Sequence, residues 1–301
     1  MMLHDNKELF EQVVLKTSDF FDMEPAIIEK DYYVTLFLRE LLKKRDDVVF
    51  KGGTSLSKCY GIIKRFSEDI DLNVKGENKP TEGERRALKK DIEAVIDKLS
   101  FRLANNSEIF SRRDFNKYLI EYPVTLGASY LKSRIIVETA VFFRAYPNEK
   151  RQVTNYIYDY LKENNILEYA DEWNLTPFDI TVQSAERTLI DKIYAIGDYY
   201  LNGNIFQHSR HIYDIYKLES MVEFDEGLKR LVKDVRAERV KHKTCLSAQN
   251  EIDMNKILSE IVNKDVFKAD YESVTASLLF ENVEYNEALK SMRRIIEKNI
   301  F

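Results

Sequence analysis

The sequence predicts a bilobed protein, with an α/β lobe of the α+β type built on a mixed sheet, followed by a mainly helical lobe. Two observations support this. Strand-like and helix-like hydrophobic periods alternate over residues 1–182, whereas residues 183–301 show helical periodicity almost throughout. The chain has 301 residues, 44% of them hydrophobic, which is enough for two separate cores. We therefore expect one domain over 1–182 and a second over 183–301.

The composition indicates an ordinary cytoplasmic protein. The formal net charge is −5, so a nucleic-acid partner would need a local basic patch rather than the field of the whole molecule. Cys59 and Cys245 show neither metal-type spacing nor the density of a disulfide scaffold. The amino terminus is charged from Asp5, and no apolar run reaches the roughly 20 residues that span a bilayer. We expect no membrane partner.

The elements of the first lobe follow from their hydrophobic periods. Apolar residues at spacings of three and four predict amphipathic helices over 6–17 and 24–44. A short buried strand is expected over 47–51, an alternating strand over 68–74 and a charged surface helix over 81–99. Two weak strands follow over 101–110 and 117–126. A strong β-branched strand is expected over 133–143 and a final short strand over 178–183.

A glycine-rich turn follows the first strand. The stretch "KGGTSLSK" contains Gly52 and Gly53, and we expect a tight turn that opens a helix with Thr54 or Ser55 as its N-cap. Backbone N–H groups in such a turn favour a phosphate, although the spacing of a Walker A loop is absent. An ordinary strand-to-helix turn would explain the same residues. The buried stripe of this helix is expected to comprise Leu56, Tyr60 and Ile63.

Two aspartates lie on the next predicted strand. Alternation in "EDIDLNV" places Asp69, Asp71 and Asn73 on one face and three apolar residues on the other. Neighbouring carboxylates repel each other unless a divalent cation binds between them. Oxygen ligands of this kind suit Mg²⁺. The alternative is a pair of solvated aspartates on an exposed edge strand.

Glu138 is the candidate for a third acid of this site. It is the one acidic residue between Ile135 and Phe143, so a charge lies within a strand that the pattern predicts to be central. Such a charge needs a partner or a metal. The alternative is a glutamate on an edge strand that faces water.

Together these motifs resemble the AbiEii/AbiGii family of nucleotidyltransferase toxins, which includes the MenT-type enzymes and has a polymerase-β-like core. The resemblance rests on "KGGTSLSK", "RFSEDIDL", the strand with Glu138, "SAERTLIDKIYAI" and "RHIYDI", and it covers about residues 25–220. It implies Mg²⁺-dependent transfer of NMP from an NTP, either GTP or CTP. It also implies a toxin of a type IV toxin-antitoxin or abortive-infection system, with tRNA 3′ ends as acceptor and a separately encoded antitoxin.

The resemblance also implies roles for individual residues. Gly52, Gly53, Thr54 and Ser55 would bind the phosphates, while Asp69, Asp71 and Glu138 would bind one or two Mg²⁺ ions. The functionally essential lysine and aspartate of the family correspond to Lys192 and Asp214 on predicted helices of the second lobe, so the active site is expected between the lobes.

The residues alone leave the roles of Lys192 and Asp214 open. Lys192 has apolar neighbours and could snorkel at the edge of a core. Asp214 follows Arg210 by four residues, the spacing of a surface ion pair, although it could instead act as a base or orient Lys192 or Arg210. Additional phosphate candidates near the glycine turn are Lys51, Lys58 and Arg65.

A basic stretch over residues 229–243 is the candidate contact for an RNA acceptor. The residues proposed to contact the RNA backbone are Arg236, Arg239, Lys241 and Lys243. A solvated helix surface would show the same pattern. Two other functions stay open: nucleotidyl transfer to a small molecule or protein, and a GTP-binding regulator without transfer. The regulator fits poorly, because simple nucleotide binding does not require three acids.

Overall fold

The computed structural model describes residues 2–67, 69–76, 78–110, 112–126 and 134–301. The chain forms two compact units. An α/β unit comprises Met1–Tyr60 and Ser67–Val182, and a helical unit comprises Gly61–Phe66 and Gln183–Phe301. The expected division at residue 182 placed the segment 61–66 with the α/β lobe. In the structure, this segment packs with the helices.

The α/β unit contains a mixed sheet. Its strands, within the described residues, are β1 (Val48–Lys51), β2 (Asp69–Val74), β3 (Arg102–Leu103), β4 (Phe115–Glu121), β5 (Arg134–Ala140), β6 (Asn148–Val153) and β7 (Phe178–Gln183). Their spatial order is β3-β4-β5-β2-β1-β7-β6. Strand β2 runs parallel to β5 and antiparallel to β1, β1 runs parallel to β7, and β4 is antiparallel to both β3 and β5. The strand with the two aspartates is therefore the central one.

Helices of the α/β unit cover the sheet. They are α1 (Lys7–Phe21), α2 (Pro25–Leu42), α3 (Gly52–Lys58), α4 (Glu82–Lys98), α5 (Tyr156–Glu163) and α6 (Glu168–Glu172). Helix α2 packs against α1, α4, α5 and β5, which explains why it is buried on almost every side. Local sequence sets where these helices begin: the Asn6 side chain accepts a hydrogen bond from the Leu9 N–H, and Thr81 forms a capping box with Glu84.

The helical unit consists of the helices that follow strand β7 in the chain, together with segment 61–66. Its helices are α7 (Ala185–Leu201), α8 (Arg210–Glu219), α9 (Glu226–Arg239), α10 (Met254–Asn263), the short turns α11 (Lys268–Asp270) and α12 (Ala276–Leu278) on either side of a π-helical turn at Tyr271–Thr275, and α13 (Tyr285–Lys298). Helix α7 packs against α8, α9 and α10, and α13 packs against α8 and α10. None of the described helices is long and apolar enough to cross a membrane.

Segment 61–66 is hydrogen-bonded within the helical unit. The Phe66 N–H donates to the Leu278 carbonyl at 2.9 Å, and the Phe280 N–H donates to the Lys64 carbonyl at 2.8 Å. The Tyr213 hydroxyl is 2.9 Å from the Lys64 N–H and accepts from it. A stretch that lies between two sequence motifs of the α/β unit is thus part of the other unit.

Several element predictions were wrong in detail. The strand expected over 101–110 is reduced to β3 followed by a 3₁₀ turn at Asn106–Glu108, and the strand expected over 133–143 ends at Ala140. Residues 68 and 133, which the predicted strands included, lie outside the described residues. Strand β6 and helices α5 and α6 were not predicted. Strand β6 lies at an edge of the sheet and has a polar sequence, "NEKRQV", without the alternation that identifies half-buried strands.

Candidate active site

The glycine turn lies directly against an aspartate of the central strand. Helix α3 begins at Gly52, whose φ of +77° is in the region that favours glycine. A Cβ atom built on Gly52 would lie 1.9 Å from Oδ2 of Asp71. Any side chain at position 52 would therefore collide with the Asp71 carboxylate. Gly52 is required because the carboxylate approaches the backbone, and this contact joins the two sequence motifs in one place.

The hydroxyl groups of Thr54 and Ser55 bind backbone carbonyl groups inside the protein. Lys51, not either hydroxyl residue, is the N-cap of α3, and no side chain caps the helix. Both residues are buried. The Thr54 hydroxyl donates to the Asp69 carbonyl at 2.5 Å, and the Ser55 hydroxyl donates to the Gly52 carbonyl at 2.9 Å. The expected capping role is wrong, and these bonds speak against a phosphate role for the two side chains. Thr54 instead fastens α3 to the start of β2.

A row of charged residues crosses four adjacent strands. Lys51 pairs with Asp71, Asp71 pairs with Glu138, and Glu138 pairs with Lys117 in the registers of β1, β2, β5 and β4. Residues directly opposite each other share a face of the sheet, so two carboxylates lie between two lysines. Nζ of Lys117 is 2.7 Å from Oε1 of Glu138. Strand β5 has neighbours on both sides, so the prediction of a central strand is confirmed and the edge-strand alternative for Glu138 is excluded.

The donor chemistry of the three predicted metal ligands fits Mg²⁺. Asp69, Asp71 and Glu138 offer carboxylate oxygens from two adjacent parallel strands, and Mg²⁺ prefers oxygen ligands. In the part of the chain that the structure describes, no group of three or more His, Cys, Asp or Glu side chains forms a ready-made metal cluster. Glu138, one of the three carboxylates, is paired with Lys117.

Lys58 is bound within the protein. Its ammonium group donates to Oδ1 of Asp31 at 2.5 Å and to the Thr35 hydroxyl at 2.7 Å. The Lys58 side chain is only 7% exposed. Asp31 also accepts a hydrogen bond from the Tyr156 N–H at 3.0 Å. These contacts speak against the predicted nucleotide-binding role of Lys58, which ties the end of α3 to α2.

Lys192 and Asp214 contact each other in the helical unit. Oδ2 of Asp214 accepts from Nζ of Lys192 at 2.6 Å. Arg65 donates to both carboxylate oxygens of Asp214 at 2.7 Å each, in a bidentate ion pair. Asp214 is fully buried, so the alternative of a surface pair with Arg210 is wrong. Lys192 does not snorkel, because its ammonium group ends on a buried carboxylate. Arg65, suggested as a phosphate ligand, is 4% exposed and serves this cluster.

The charges of the cluster determine its protonation. Burial would raise the pKa of Asp214, but Arg65 and Lys192 together hold it below the usual range. Burial lowers the pKa of Lys192, an effect that Asp214 opposes. Burial and the nearby Lys192 lower the pKa of His211 well below its usual value, which keeps the imidazole neutral. A carboxylate this acidic is a poor proton acceptor. The geometry favours Asp214 as the group that orients Lys192, not as a general base.

The two arginines of α9 are used within the helical unit. Arg236 donates to the carbonyl groups of Gln249 at 2.9 Å and Ile252 at 2.6 Å. Arg239 is 7% exposed and lies 3.5 Å from carboxylate oxygens of both Asp191 and Asp198. Both arginines brace the loop and helix next to α9, and these contacts speak against their contact with an RNA backbone, which stays a prediction.

Lys241 and Lys243 follow α9 and are exposed, so their positions are compatible with the predicted RNA contact. Lys117 and Arg65 are the residues that sequence reasoning did not place in these clusters. Lys117 had one available signal. It stands on the predicted strand 117–126, and pairing of that strand with the one that carries Glu138 would bring the two charges together.

Comparison with known proteins identifies the family. The profile described as nucleotidyl transferase AbiEii toxin, type IV TA system, matches residues 36–293. The match includes the glycine turn, the aspartates of β2, Glu138, and the Lys192–Asp214 cluster. No curated protein matches the chain. Because the matched segment covers most of the sequence, the chain belongs to the AbiEii family of nucleotidyltransferase toxins of type IV toxin-antitoxin systems and is a nucleotidyltransferase.

Proposed function

We propose that the protein transfers NMP from an NTP, either GTP or CTP, to an acceptor in a Mg²⁺-dependent reaction that releases pyrophosphate. The observation that carries this proposal is the approach of the Asp71 carboxylate to the Gly52 backbone. A phosphate-binding turn and a metal-binding strand serve one reaction only if they are adjacent. That contact makes them adjacent.

The residues of the α/β unit have separable roles in this reaction. Asp69, Asp71 and Glu138 would hold one or two Mg²⁺ ions, which supply charge stabilisation at the α-phosphate and activation of the attacking hydroxyl. Gly52 and Gly53 leave the backbone of the turn without Cβ atoms, so phosphate oxygens can approach its N–H groups. The Thr54 hydroxyl holds the turn against β2, which keeps the two parts of the site in register.

In the helical unit, we assign Lys192 the role of a positive charge for the triphosphate. Asp214 and Arg65 fix the position of its ammonium group through buried ion pairs. One carboxylate lies between two cations, so the cluster carries an excess positive charge when Lys192 is protonated. An anionic substrate would relieve that excess.

The acceptor we propose is RNA, specifically the 3′ end of a tRNA, and the partner that controls the protein is a separately encoded antitoxin. Lys241 and Lys243 are the exposed basic residues that support an RNA contact. A small molecule or a protein is the second candidate acceptor. It is favoured by the finding that Arg236 and Arg239, the other two residues of the predicted contact, are engaged within the protein.

The test is a transfer assay with each labelled NTP in turn, Mg²⁺ and total RNA. The matched protein is a variant with both Asp69→Asn and Asp71→Asn, which keeps the side-chain size and removes the charge. We expect label in RNA with the unaltered chain and a loss of at least about a hundredfold with the variant, as for removal of a metal ligand set. Label in protein or small molecules would favour the second candidate. Equal labelling by both proteins, or none by either, would contradict the transferase proposal.

A further inference from the structure

The charged row ends in an ion pair that the proposed reaction does not use. Lys117 and Glu138 occupy directly paired positions of β4 and β5, and Nζ of Lys117 lies 2.7 Å from Oε1 of Glu138. On its other side, Glu138 is paired with Asp71 of β2. The carboxylate that would be the third metal ligand therefore has an ammonium group on one side and an acidic strand on the other.

Exposure distinguishes this ion pair from two other lysine pairs, one in each unit. The side chains of Lys117 and Glu138 are 45% and 21% exposed. In the pairs Lys58–Asp31 and Lys192–Asp214, by contrast, every side chain is at most 11% exposed. An exposed pair is weak, because water and salt screen the two charges, whereas a buried lysine cannot leave its carboxylate without a large desolvation cost. Of the three, the pair with Lys117 is the exchangeable one.

Charge balance indicates what the exchange achieves. Asp71 and Glu138 are adjacent like charges on one face, and Asp69 is two residues from Asp71 on the same strand. Without a cation, this arrangement is destabilised by repulsion. Lys51, opposite Asp71, and Lys117, opposite Glu138, each relieve part of it with one charge. A divalent cation with several oxygen ligands relieves more, so it can displace the exposed Lys117.

We propose that Lys117 is a displaceable counter-ion for Glu138: it holds the third carboxylate before metal binds and gives it up when Mg²⁺ arrives. This inference rests on the proposed metal site at Asp69 and Asp71. Lys117 is then a positioning residue that sets the metal concentration at which Glu138 joins the two aspartates. Its removal tightens metal binding, and its replacement by arginine does not.

The test is a titration of the full chain with Mn²⁺ in the absence of nucleotide, with free Mn²⁺ followed by electron paramagnetic resonance. We expect Lys117→Met to bind Mn²⁺ about two- to fivefold more tightly, the range that corresponds to loss of one exposed ion pair. Lys117→Arg keeps the pair and should stay close to the unaltered chain. Lys150→Met, an exposed lysine on the edge strand β6, is the control for charge removal elsewhere and should change nothing.

A second pair of variants separates displacement from a general field effect. If Lys117 acts through Glu138, Lys117→Met should have no effect on Mn²⁺ affinity when Glu138→Gln is also present. If it only repels the cation, the effect persists in that background, and the inference is overturned. It is also overturned if Lys117→Met leaves affinity unchanged while Asp69→Asn and Asp71→Asn abolish binding. That outcome leaves the proposed function intact, whereas Mn²⁺ binding indifferent to both aspartates would overturn both proposals.

Discussion

At the residue scale, the contact between Gly52 and Asp71 explains why a chain with few glycines has one at this position. Two structural constraints act on that residue. The backbone has a positive φ, and the space that a side chain would fill belongs to a carboxylate oxygen. Sequence reasoning attributed the glycine to the approach of a ligand. The structure shows that the first group to approach is the protein's own aspartate.

Gly52→Ala tests both constraints, which differ in size. The positive φ costs about 1 kcal/mol for any residue with a Cβ, which the fold can tolerate. The overlap with Asp71 is the larger effect, so we expect the carboxylate to move and the Mn²⁺ affinity to fall by at least about tenfold, as for a disturbed metal ligand. The measurement is the same Mn²⁺ titration, with circular dichroism to verify folding.

Gly203→Ala is the matched control for this change. Gly203 has a φ of +68°, and a Cβ built on it would meet nothing within 4 Å. It therefore imposes the backbone strain without the collision. Equal Mn²⁺ affinities for the two variants would show that Asp71 tolerates a side chain at position 52 and would remove the main support for a shared site.

At the element scale, the hydrophobic period predicted the long helices and the central strands. It did not predict an edge strand whose position depends on pairing with a neighbouring strand. Helices α1, α2 and α4 and strands β1, β2 and β5 follow from apolar spacing, because each buries one face or both. Strand β6 is polar and lies at a sheet edge, so its position depends on pairing with a neighbour that local sequence does not reveal. Helix α3 stops at Lys58, so Tyr60 and Ile63 are not part of its predicted stripe.

The candidate site residues also divide into those that a local pattern predicts and those that depend on distant partners. The aspartates of β2 were predictable because alternation fixes which side chains share a face of one strand. Contacts of Lys117 with Glu138 and of Arg65 with Asp214 join residues 21 and 149 positions apart, and no local pattern encodes the partner. A run of basic residues likewise does not reveal which of them have partners inside the protein. Arg236 and Arg239 are basic residues on a charged helix, yet both point to partners inside the unit.

Helix α9 gives a prediction that tests this internal role. Arg239→Leu removes the cation that lies against the partly buried Asp198 and leaves Asp191 paired with Arg187 alone of its two arginines, so we expect the free energy of unfolding to fall by about 2–4 kcal/mol. The change Lys241→Glu with Lys243→Glu affects exposed side chains and should stay within about 0.5 kcal/mol. Chemical denaturation followed by circular dichroism measures both.

The lysine variant also reports on the acceptor. If RNA contacts these residues, charge reversal should reduce the labelling of RNA by about tenfold or more, since two phosphate contacts are replaced by repulsion. Unchanged RNA labelling would contradict that contact. A stability loss in the lysine variant equal to that of Arg239→Leu would contradict the distinction between internal and exposed basic residues.

At the scale of the whole molecule, the assignment of residues to the two units departs from chain order in one segment. Residues 61–66 lie between the glycine turn and the aspartate strand in sequence, but their backbone pairs with residues 278–280 and Arg65 pairs with Asp214. The sequence contains no composition change, linker or repeat there to indicate it. The partners are more than 140 residues away, so only the folded chain reveals that this short segment belongs to the helical unit.

The last prediction tests that assignment with Arg65→Leu. Removal of Arg65 breaks the bidentate ion pair with the buried Asp214 and leaves that carboxylate paired with Lys192, and we expect a loss of about 2–4 kcal/mol in the local stability of the helical unit. Hydrogen exchange measured by mass spectrometry should accelerate in peptides from α7 and α8, and much less in those from α2. Trp173, the single tryptophan of the chain, is buried in the α/β unit, so its fluorescence provides a second reading of that unit.

Lys58→Met is the reciprocal variant, because it breaks the buried pair with Asp31 inside the α/β unit. It should accelerate exchange in α2 and lower the midpoint of the Trp173 unfolding transition, and α8 should be affected less. The two variants change residues only seven positions apart in the sequence, so opposite patterns of exchange can arise only from the packing of each residue. If Arg65→Leu instead accelerated exchange in α2 as much as in α8, the segment 61–66 would stabilise the α/β unit as well, and its assignment to the helical unit would be wrong.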